Sequence, residues 1–212
     1  SFVNFARKEI VFKLVYYGPA MCGKTTNLEQ IHASIDQDRR GELTMLSTRE
    51  DRTLFFDFLP LKTDLVRGYT SKFQIYTVPG QVIYNETRKL VLRNADGLVF
   101  VADSQWDKVE ENIGSFKNLK ENLQEQKMAL DEMPYVFQFN KRDLPHIAPI
   151  HYLDFLLNQG ACRAPCQEAI ACKGEGVFET LNAISRMVLG SFIKKNKMAT
   201  TVSQPAGVPK ES

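Results

Sequence analysis

The sequence predicts an α/β fold with a mainly parallel sheet and helices on both faces. Two observations support this prediction. Short apolar runs typical of strands alternate with amphipathic patterns of helical period from one end of the chain to the other. The stretches between most of these strands are also long enough to hold a helix, which predicts right-handed crossovers between parallel strands.

The predicted elements follow one another in a regular order. The first strand is the apolar run at residues 10–17, and apolar residues at helical spacing from Leu28 to Ile35 follow it. Further strands are predicted at 42–47, 53–59, 72–77, 97–102, 134–139 and 166–171. Further helices are predicted at 84–94, 109–123, 153–157 and 177–192. Ligands bind such sheets at the carboxyl ends of the strands.

The domain organisation follows from length and periodicity. At 212 residues, the chain suits one domain with a full core. We expect this domain to cover residues 1–193, because the pattern after about Lys194 is polar and aperiodic, and we expect a disordered tail at 194–212. The three lysines at the start of this tail leave a weak membrane-surface patch as an alternative, although so few charges do not anchor a protein.

The overall composition excludes several classes of protein. With 27 basic and 25 acidic residues the chain is nearly neutral, so nucleic acid is not an expected partner. We find no apolar run near 18 residues, which predicts a cytoplasmic protein without a membrane span. We expect the four cysteines to be reduced thiols. A metal or disulfide site made by Cys162, Cys166 and Cys172 is the weaker alternative, because neither a C-x-x-C pair nor a suitably spaced histidine accompanies them.

A phosphate-binding loop lies directly after the first predicted strand. Residues 18–25, GPAMCGKT, fit the pattern G-x-x-x-x-G-K-[ST] and precede a predicted helix, as this motif requires. Backbone N–H groups would surround the phosphates, Lys24 would reach the β- and γ-phosphates, and the hydroxyl of Thr25 would hold Mg²⁺. The residues expected to contact the nucleotide here are Gly18, Ala20, Met21, Cys22, Gly23, Lys24, Thr25 and Thr26.

Cys22 lies inside this loop, where two interpretations are open. Nearby N–H groups and Lys24 could lower the pKa of its thiol and make it redox-sensitive. Alternatively, Cys22 is simply a small residue that fits the loop.

A second motif indicates which base is bound. Asn140, Lys141 and Asp143 form N-K-x-D directly after a predicted strand. A carboxylate here can accept hydrogen bonds from both N1–H and the 2-amino group of guanine, whereas adenine lacks this pair of donors. Asn140 would connect the loops, and the aliphatic stem of Lys141 would lie along the base.

A third motif, TVPGQ at residues 77–81, follows the strand predicted at 72–77. Gly80 would bring its backbone N–H close to a γ-phosphate, and Gln81 could orient an attacking water. An ordinary Pro-Gly turn is the alternative for this segment taken alone.

Taken together, these segments resemble the small Ras-like GTPases, and among them the bacterial MglA family. The resemblance extends from residue 5 to residue 189. It is carried by the segments 15–19 (VYYGP), 23–28 (GKTTNL), 52–60 (RTLFFDFLP), 76–81 (YTVPGQ), 96–103 (DGLVFVAD), 140–143 (NKRD) and 176–181 (GVFETL).

The resemblance implies roles for single residues. Thr53 matches the switch threonine that binds Mg²⁺ and senses the γ-phosphate, and Gln81 matches the catalytic glutamine. Ala171 matches the alanine whose backbone N–H faces guanine, although its neighbours depart from the Ser-Ala-Lys pattern. Thr77 stands where most Ras-like proteins have an aspartate near the metal, and the MglA family shares this threonine.

Arg52 matches an arginine finger that MglA-like proteins carry in cis, as Gα proteins do. Arg49 is close enough in sequence to be a rival for this role. A solvated charge without a catalytic role is the third possibility for Arg52.

The resemblance therefore implies a Ras-like switch that binds GTP or GDP and hydrolyses GTP with Mg²⁺. It implies a role in bacterial polarity or motility and recruitment to a cell pole. The expected partner is a roadblock-type activator, or another polar adaptor, at Phe55, Phe58 and the region around Gln81. An edge strand packed in the core is the alternative account of these phenylalanines. Two rival functions remain at this stage: a GTPase-fold scaffold without hydrolysis, and an ATP-using P-loop kinase.

Overall fold

The computed structural model describes residues 1–47, 52–58, 68–160 and 163–202. Within these residues an eight-stranded sheet is accompanied by five α-helices. The strands are β1 (Phe2–Asn4), β2 (Glu9–Tyr17), β3 (Thr44–Ser47), β4 (Arg52–Phe58), β5 (Thr70–Thr77), β6 (Gly97–Asp103), β7 (Tyr135–Asn140) and β8 (Cys166–Glu168). The helices are α1 (Lys24–Ser34), α2 (Asn85–Leu92), α3 (Val109–Glu125), α4 (Ile150–Leu157) and α5 (Val177–Val202).

The sheet confirms the predicted Ras-like α/β fold. Its strand order is β3-β4-β5-β2-β6-β7-β8, and the neighbours from β5 to β8 pair in parallel. The β3–β4 and β4–β5 pairs are antiparallel, so the sheet is mainly parallel with an antiparallel edge. Short β1 pairs antiparallel with the first residues of β2, ahead of the segment of β2 that pairs with β6.

Helices cover both faces of the sheet, as the strand–helix alternation predicted. On one face, α1 and α5 pack against side chains of β2 that include Phe12 and Leu14. On the other face, α2, α3 and α4 pack against a cluster that includes Val15 and Tyr17. Successive residues of a strand point to opposite faces, so β2 supplies side chains to both cores and is the central strand of the molecule.

The structure adds one strand to the prediction and moves several element boundaries. Strand β1 was not predicted, because a three-residue strand is too short to show a period. Strand β8 ends at Glu168, and residues 171–173 form a 3₁₀ turn in place of the predicted end of the strand. The turn leads to Gly176, where φ is 73° and a Cβ atom would lie 1.9 Å from the carbonyl oxygen of Glu168.

The last helix is longer than its apolar pattern predicted. The pattern ends at Phe192, but α5 continues to Val202. Residues 194–202 of the tail expected at 194–212 therefore belong to α5. Residues 203–212 lie outside the described residues, so the tail there stays a prediction. In the part of the chain that the structure describes, none of the helices combines the length and the apolar character that a membrane span requires.

We expect Gly97→Ala to lower the free energy of unfolding by about 1–3 kcal/mol, as overpacking does. A Cβ atom at Gly97, the first residue of β6, would lie 2.5 Å from Cγ2 of Val188 and 3.0 Å from Cδ1 of Ile184 in α5. Urea unfolding measures the change. Gly190→Ala, in α5, is the matched control. Its Cβ would meet open space, and alanine stabilises a helix by about 1 kcal/mol relative to glycine, so this variant should not lose stability. Unchanged stability for Gly97→Ala would show that α5 can move away.

Candidate nucleotide site

The predicted motifs meet at the carboxyl edge of the parallel strands. The phosphate loop follows β2, the segment 141–143 follows β7, and the loop that holds Ala171 follows β8. Because these strands run in the same direction, the loops at their carboxyl ends lie along one edge of the sheet.

The phosphate loop requires glycine at both of its ends. Gly18 has φ of 150°, and a Cβ atom there would lie 2.2 Å from the carbonyl oxygen of Val101. Gly23 has φ of 102° and forms the N-cap of α1, which begins at Lys24. A Cβ atom at Gly23 would lie 2.2 Å from Nδ2 of Asn140. The loop therefore curves tightly onto the amino end of α1, where backbone N–H groups and the helix dipole favour anions.

The ammonium group of Lys24 is folded over this loop. The side chain is buried, and Nζ donates hydrogen bonds to the carbonyl oxygens of Gly18 at 3.0 Å and Pro19 at 2.6 Å. These bonds fix a positive charge at the loop, where a phosphate chain requires one. Met21, in contrast, is 88% exposed, so only its backbone remains as a candidate contact to phosphate.

Cys22 does not have the environment of a reactive thiol. Its side chain is fully buried, and this burial raises the pKa of the thiol despite the opposing charge of Lys24. The alternative of a lowered pKa is therefore wrong, because desolvation outweighs attraction to the ammonium group. The interpretation of Cys22 as a small residue that fits the loop agrees with its complete burial.

Asn140 connects the phosphate loop to the loop that follows β8. Its Nδ2 donates to the carbonyl oxygen of Cys22 at 2.8 Å, and its Oδ1 accepts from the backbone N–H of Ala171 at 2.9 Å. The side chain is 2% exposed, so both bonds are shielded from water. One amide group thus sets the spacing between the phosphate loop and two segments predicted to contact the base.

Asp103 is a site residue that sequence reasoning missed. Its carboxylate, at the end of β6, is 2% exposed and lies 2.5 Å from Nζ of Lys141. This ion pair holds the side chain of Lys141 at the carboxyl end of β6. The backbone of Lys141 is left-handed, with φ of 64°. A charged residue at the end of an otherwise apolar strand was the available signal.

Asp143 is the residue predicted to recognise guanine. Its carboxylate is a quarter exposed and lies 3.5 Å from the ammonium group of Lys173, beside the Ala171 loop. Asp143 and Ala171 are therefore neighbours at the same end of the site, as the two predicted base contacts must be.

Gly80 lies directly against the phosphate loop. A Cβ atom on Gly80 would lie 2.4 Å from Cα of Ala20, a distance that only glycine permits. Gln81 follows it, and both residues line a cavity of about 600 Å³ that continues along α3. The structure thus brings Gly80, whose N–H is predicted to approach the γ-phosphate, and Gln81, the predicted catalytic glutamine, to the phosphate loop.

Arg52 and Thr53 begin β4, opposite Ser47 and Leu46 of β3. Only their backbone is described, so their catalytic and metal-binding roles stay predictions. Arg49 lies outside the described residues. The side chains of Phe55 and Phe58, also in β4, are likewise not described.

The hydroxyl groups present suit a Mg²⁺ ion that is bound mainly by phosphates and water. Thr25 lies in the first turn of α1, next to Lys24, and Thr77 is buried at the end of β5. Within the described residues there is no cluster of three or more His, Cys, Asp or Glu side chains that could hold a metal ion alone. A nucleotide-bound Mg²⁺ needs no such cluster, because it takes one or two protein oxygens.

Comparison with known proteins gives one informative match. No protein-family model matches the chain. The chain is 49% identical over 194 residues to Mutual gliding-motility protein MglA of Myxococcus xanthus (strain DK1622). This match covers 92% of the chain and 98% of the relative, so it includes both the phosphate loop and the guanine motif.

We expect Cys172 to react with iodoacetamide at pH 8 at least about tenfold faster than Cys22 or Cys166, because the thiolate is the nucleophile. Cys172 is exposed, whereas burial raises the pKa of Cys22, and burial with the Asp154 carboxylate raises the pKa of Cys166 to about 12. Mass spectrometry of peptides gives each rate. Urea-unfolded protein, in which all thiols should react alike, is the control. Modification of Cys22 first would show that the loop opens.

Proposed function

Because this chain belongs to the MglA family of small Ras-like GTPases, we propose that it is a switch that alternates between GTP- and GDP-bound states. The observation that carries this proposal is the pair of hydrogen bonds made by Asn140, which holds a phosphate-binding loop and a base-binding loop at one spacing. A nucleotide carries its phosphates and its base on one ribose, so a site that holds both loops within that reach suits a whole nucleotide better than a free phosphate.

Guanine is the proposed base because of the groups that would face it. The carboxylate of Asp143 offers two acceptors, which suit the N1–H and 2-amino donors of guanine. The backbone N–H of Ala171 is already held by Asn140, so the role of Ala171 toward guanine is the positioning of its loop. Adenine would place an acceptor against the Asp143 carboxylate. For this reason an ATP-using kinase fits the site less well.

We assign the hydrolysis of GTP to five residues. Lys24 supplies a fixed positive charge at the phosphates, Gln81 orients the attacking water, and Arg52 stabilises the charge that develops on the γ-phosphate. Thr25, together with Thr53, would hold Mg²⁺, which supplies further charge neutralisation when it is bound. Gly80 supports this assignment, because it lies against Ala20 of the phosphate loop.

The proposed biological role is the regulation of polarity or surface motility in a bacterium. The name of the Myxococcus xanthus relative refers to gliding motility, and an identity of 49% over nearly the whole relative supports a related role. We propose a cytoplasmic protein that is recruited to a cell pole. Its proposed partner is a roadblock-type activator, or another polar adaptor, that contacts Phe55, Phe58 and the region around Gln81. Because this chain would itself supply the arginine finger, at Arg52, such an activator needs only to order the segments around Thr53 and Gln81.

The base assignment predicts that Asp143→Asn weakens GTP binding about a hundredfold or more and strengthens binding of xanthosine triphosphate. The substitution replaces an acceptor by a donor, which leaves guanine donors unpaired and suits the 2-oxo group of xanthine. Competition against a fluorescent nucleotide measures both affinities. Asp131→Asn, which makes the same change at an exposed carboxylate, is the matched control. Equal GTP affinity in the wild type and Asp143→Asn would place base recognition elsewhere.

The hydrolysis assignment predicts that Gln81→Leu and Arg52→Ala each retain GTP but hydrolyse it about a hundredfold more slowly, since the phosphate loop is untouched. Phosphate release is measured over multiple turnovers, alone and with a roadblock-type protein. Arg49→Ala is the matched control for Arg52→Ala. Normal hydrolysis by Arg52→Ala together with slow hydrolysis by Arg49→Ala would assign the role of arginine finger to Arg49.

The same experiment tests the alternatives. Wild type that binds GTP tightly but never releases phosphate, even with the activator, would be a scaffold without hydrolysis. A roadblock-type protein that binds the GDP form as tightly as the GTP form would contradict the partner proposal.

A further inference from the structure

A buried arginine lies behind Gly80, whose backbone N–H is predicted to approach the γ-phosphate. Arg88, on α2, is 1% exposed and is among the largest fully buried side chains of the described residues. Its Nε donates to the carbonyl oxygen of Pro79 at 2.9 Å, and one terminal nitrogen donates to the carbonyl oxygen of Gly80. Two consecutive peptide groups of this segment are therefore held by one guanidinium group.

These bonds fix the direction of a peptide group that matters for the site. The structure contains no cis peptide bond in the described residues, so the C=O and N–H of the Pro79–Gly80 peptide point in opposite directions. With the carbonyl oxygen held by Arg88, the N–H of Gly80 must point away from Arg88. Cα of Gly80 meanwhile lies against Ala20 of the phosphate loop. The peptide is thus held between Arg88 and that loop.

The guanidinium group is itself held by the rest of the molecule. Its other terminal nitrogen donates to Oδ1 of Asn118 in α3 at 2.8 Å, and its carbon lies 5.4 Å from the ring centroid of Tyr17 at the end of β2. The hydroxyl of Tyr17 donates to the same oxygen of Asn118 at 2.6 Å. Arg88 therefore cannot swing away from the Pro79–Gly80 segment without breaking contacts to two other elements.

We propose that Arg88 is a positioning residue that sets the Gly80 N–H for the γ-phosphate and thereby determines the preference for GTP over GDP. This role rests on the proposed function. The physical reason is the cost of burying a charge, since a guanidinium group in the interior needs acceptors. Rotation of the Pro79–Gly80 peptide would remove an acceptor from Arg88, so the arginine stabilises the arrangement with the carbonyls inward and the N–H outward.

The role is specific to nucleotides that carry a γ-phosphate. Arg88 contacts neither the phosphate loop nor the base-binding loops in the hydrogen bonds described for it. Binding of GDP relies on the phosphate loop and on Asn140, Asp143 and Ala171, and should not depend on Arg88. A residue that only filled space in the core would change both affinities together.

The test is the ratio of GTP to GDP affinity in Arg88→Met, which keeps an unbranched side chain but removes every donor. We expect GTP affinity to fall about tenfold or more and GDP affinity to stay within about twofold, which is the effect expected for lost hydrogen bonds to a charged group. Hydrogen exchange of the Gly80 and Gln81 amides, measured on both loaded forms, should become faster. Arg88→Lys, which can keep one carbonyl contact, should restore part of the ratio.

Leu92→Ala is the matched control. Leu92 is fully buried on the same helix, and its apolar side chain makes no hydrogen bond to the Pro79–Gly80 segment, to Asn118 or to Tyr17. It should lower the melting temperature without changing the GTP-to-GDP ratio. If Arg88→Met does not fold, Arg88→Lys and Arg88→Gln provide the same ratio and exchange measurements.

The outcomes separate the two proposals. A wild-type protein that does not bind GTP would overturn the proposed function and the role of Arg88 with it. A wild-type protein that binds GTP, with an unchanged ratio and unchanged amide exchange in the Arg88 variants, would overturn the role of Arg88 alone. An equal shift of the ratio in Leu92→Ala would also overturn it, because the effect would then be structural.

Discussion

The site depends on two hydrogen bonds made by one buried amide. Asn140 donates to the phosphate loop at Cys22 and accepts from the loop at Ala171. The groups it joins are far apart in sequence and reach one place only because β2, β7 and β8 end at the same edge of the sheet. The packing of Gly23 reinforces this arrangement, since the absence of a Cβ atom lets the amide approach the backbone. The sheet sets the approximate positions of these loops, and Asn140 sets their final spacing.

A second set of buried polar groups holds together the helices and the strand that carry the site. Asn27 in α1 exchanges hydrogen bonds with Gln138 in β7, and Gln138 also donates to Thr180 in α5. All three side chains are fully buried, and a buried polar network that is satisfied specifies one arrangement of the elements it joins. This network therefore fixes α1, β7 and α5 relative to each other. The nucleotide site sits on a rigid base on this side of the sheet.

Much of this organisation could be predicted from the sequence, and the features that could not be predicted share one physical cause. The position of the GPAMCGKT and NKRD segments directly after a strand could be predicted, because both segments are local signals and the apolar pattern of the preceding strands is strong. Asp103 and Arg88 were missed because their roles depend on contacts across the fold, which sequence periodicity does not encode. The state of Cys22 stayed open at the sequence level for a similar reason: the charge of Lys24 is visible in the sequence, whereas complete burial is a property of the folded chain.

The length of α5 has a consequence for the geometry of the whole molecule. The helix starts at Val177, just after the base-binding loop, and its 26 residues span about 39 Å at 1.5 Å per residue. By Phe192 it has reached the opposite edge of the sheet, where that ring lies 5.3 Å from the ring of Phe12 in the first half of β2. A reporter group attached at the end of α5 would thus lie at the end of the molecule opposite the candidate nucleotide site, and tethering the protein there would leave the loops of that site accessible.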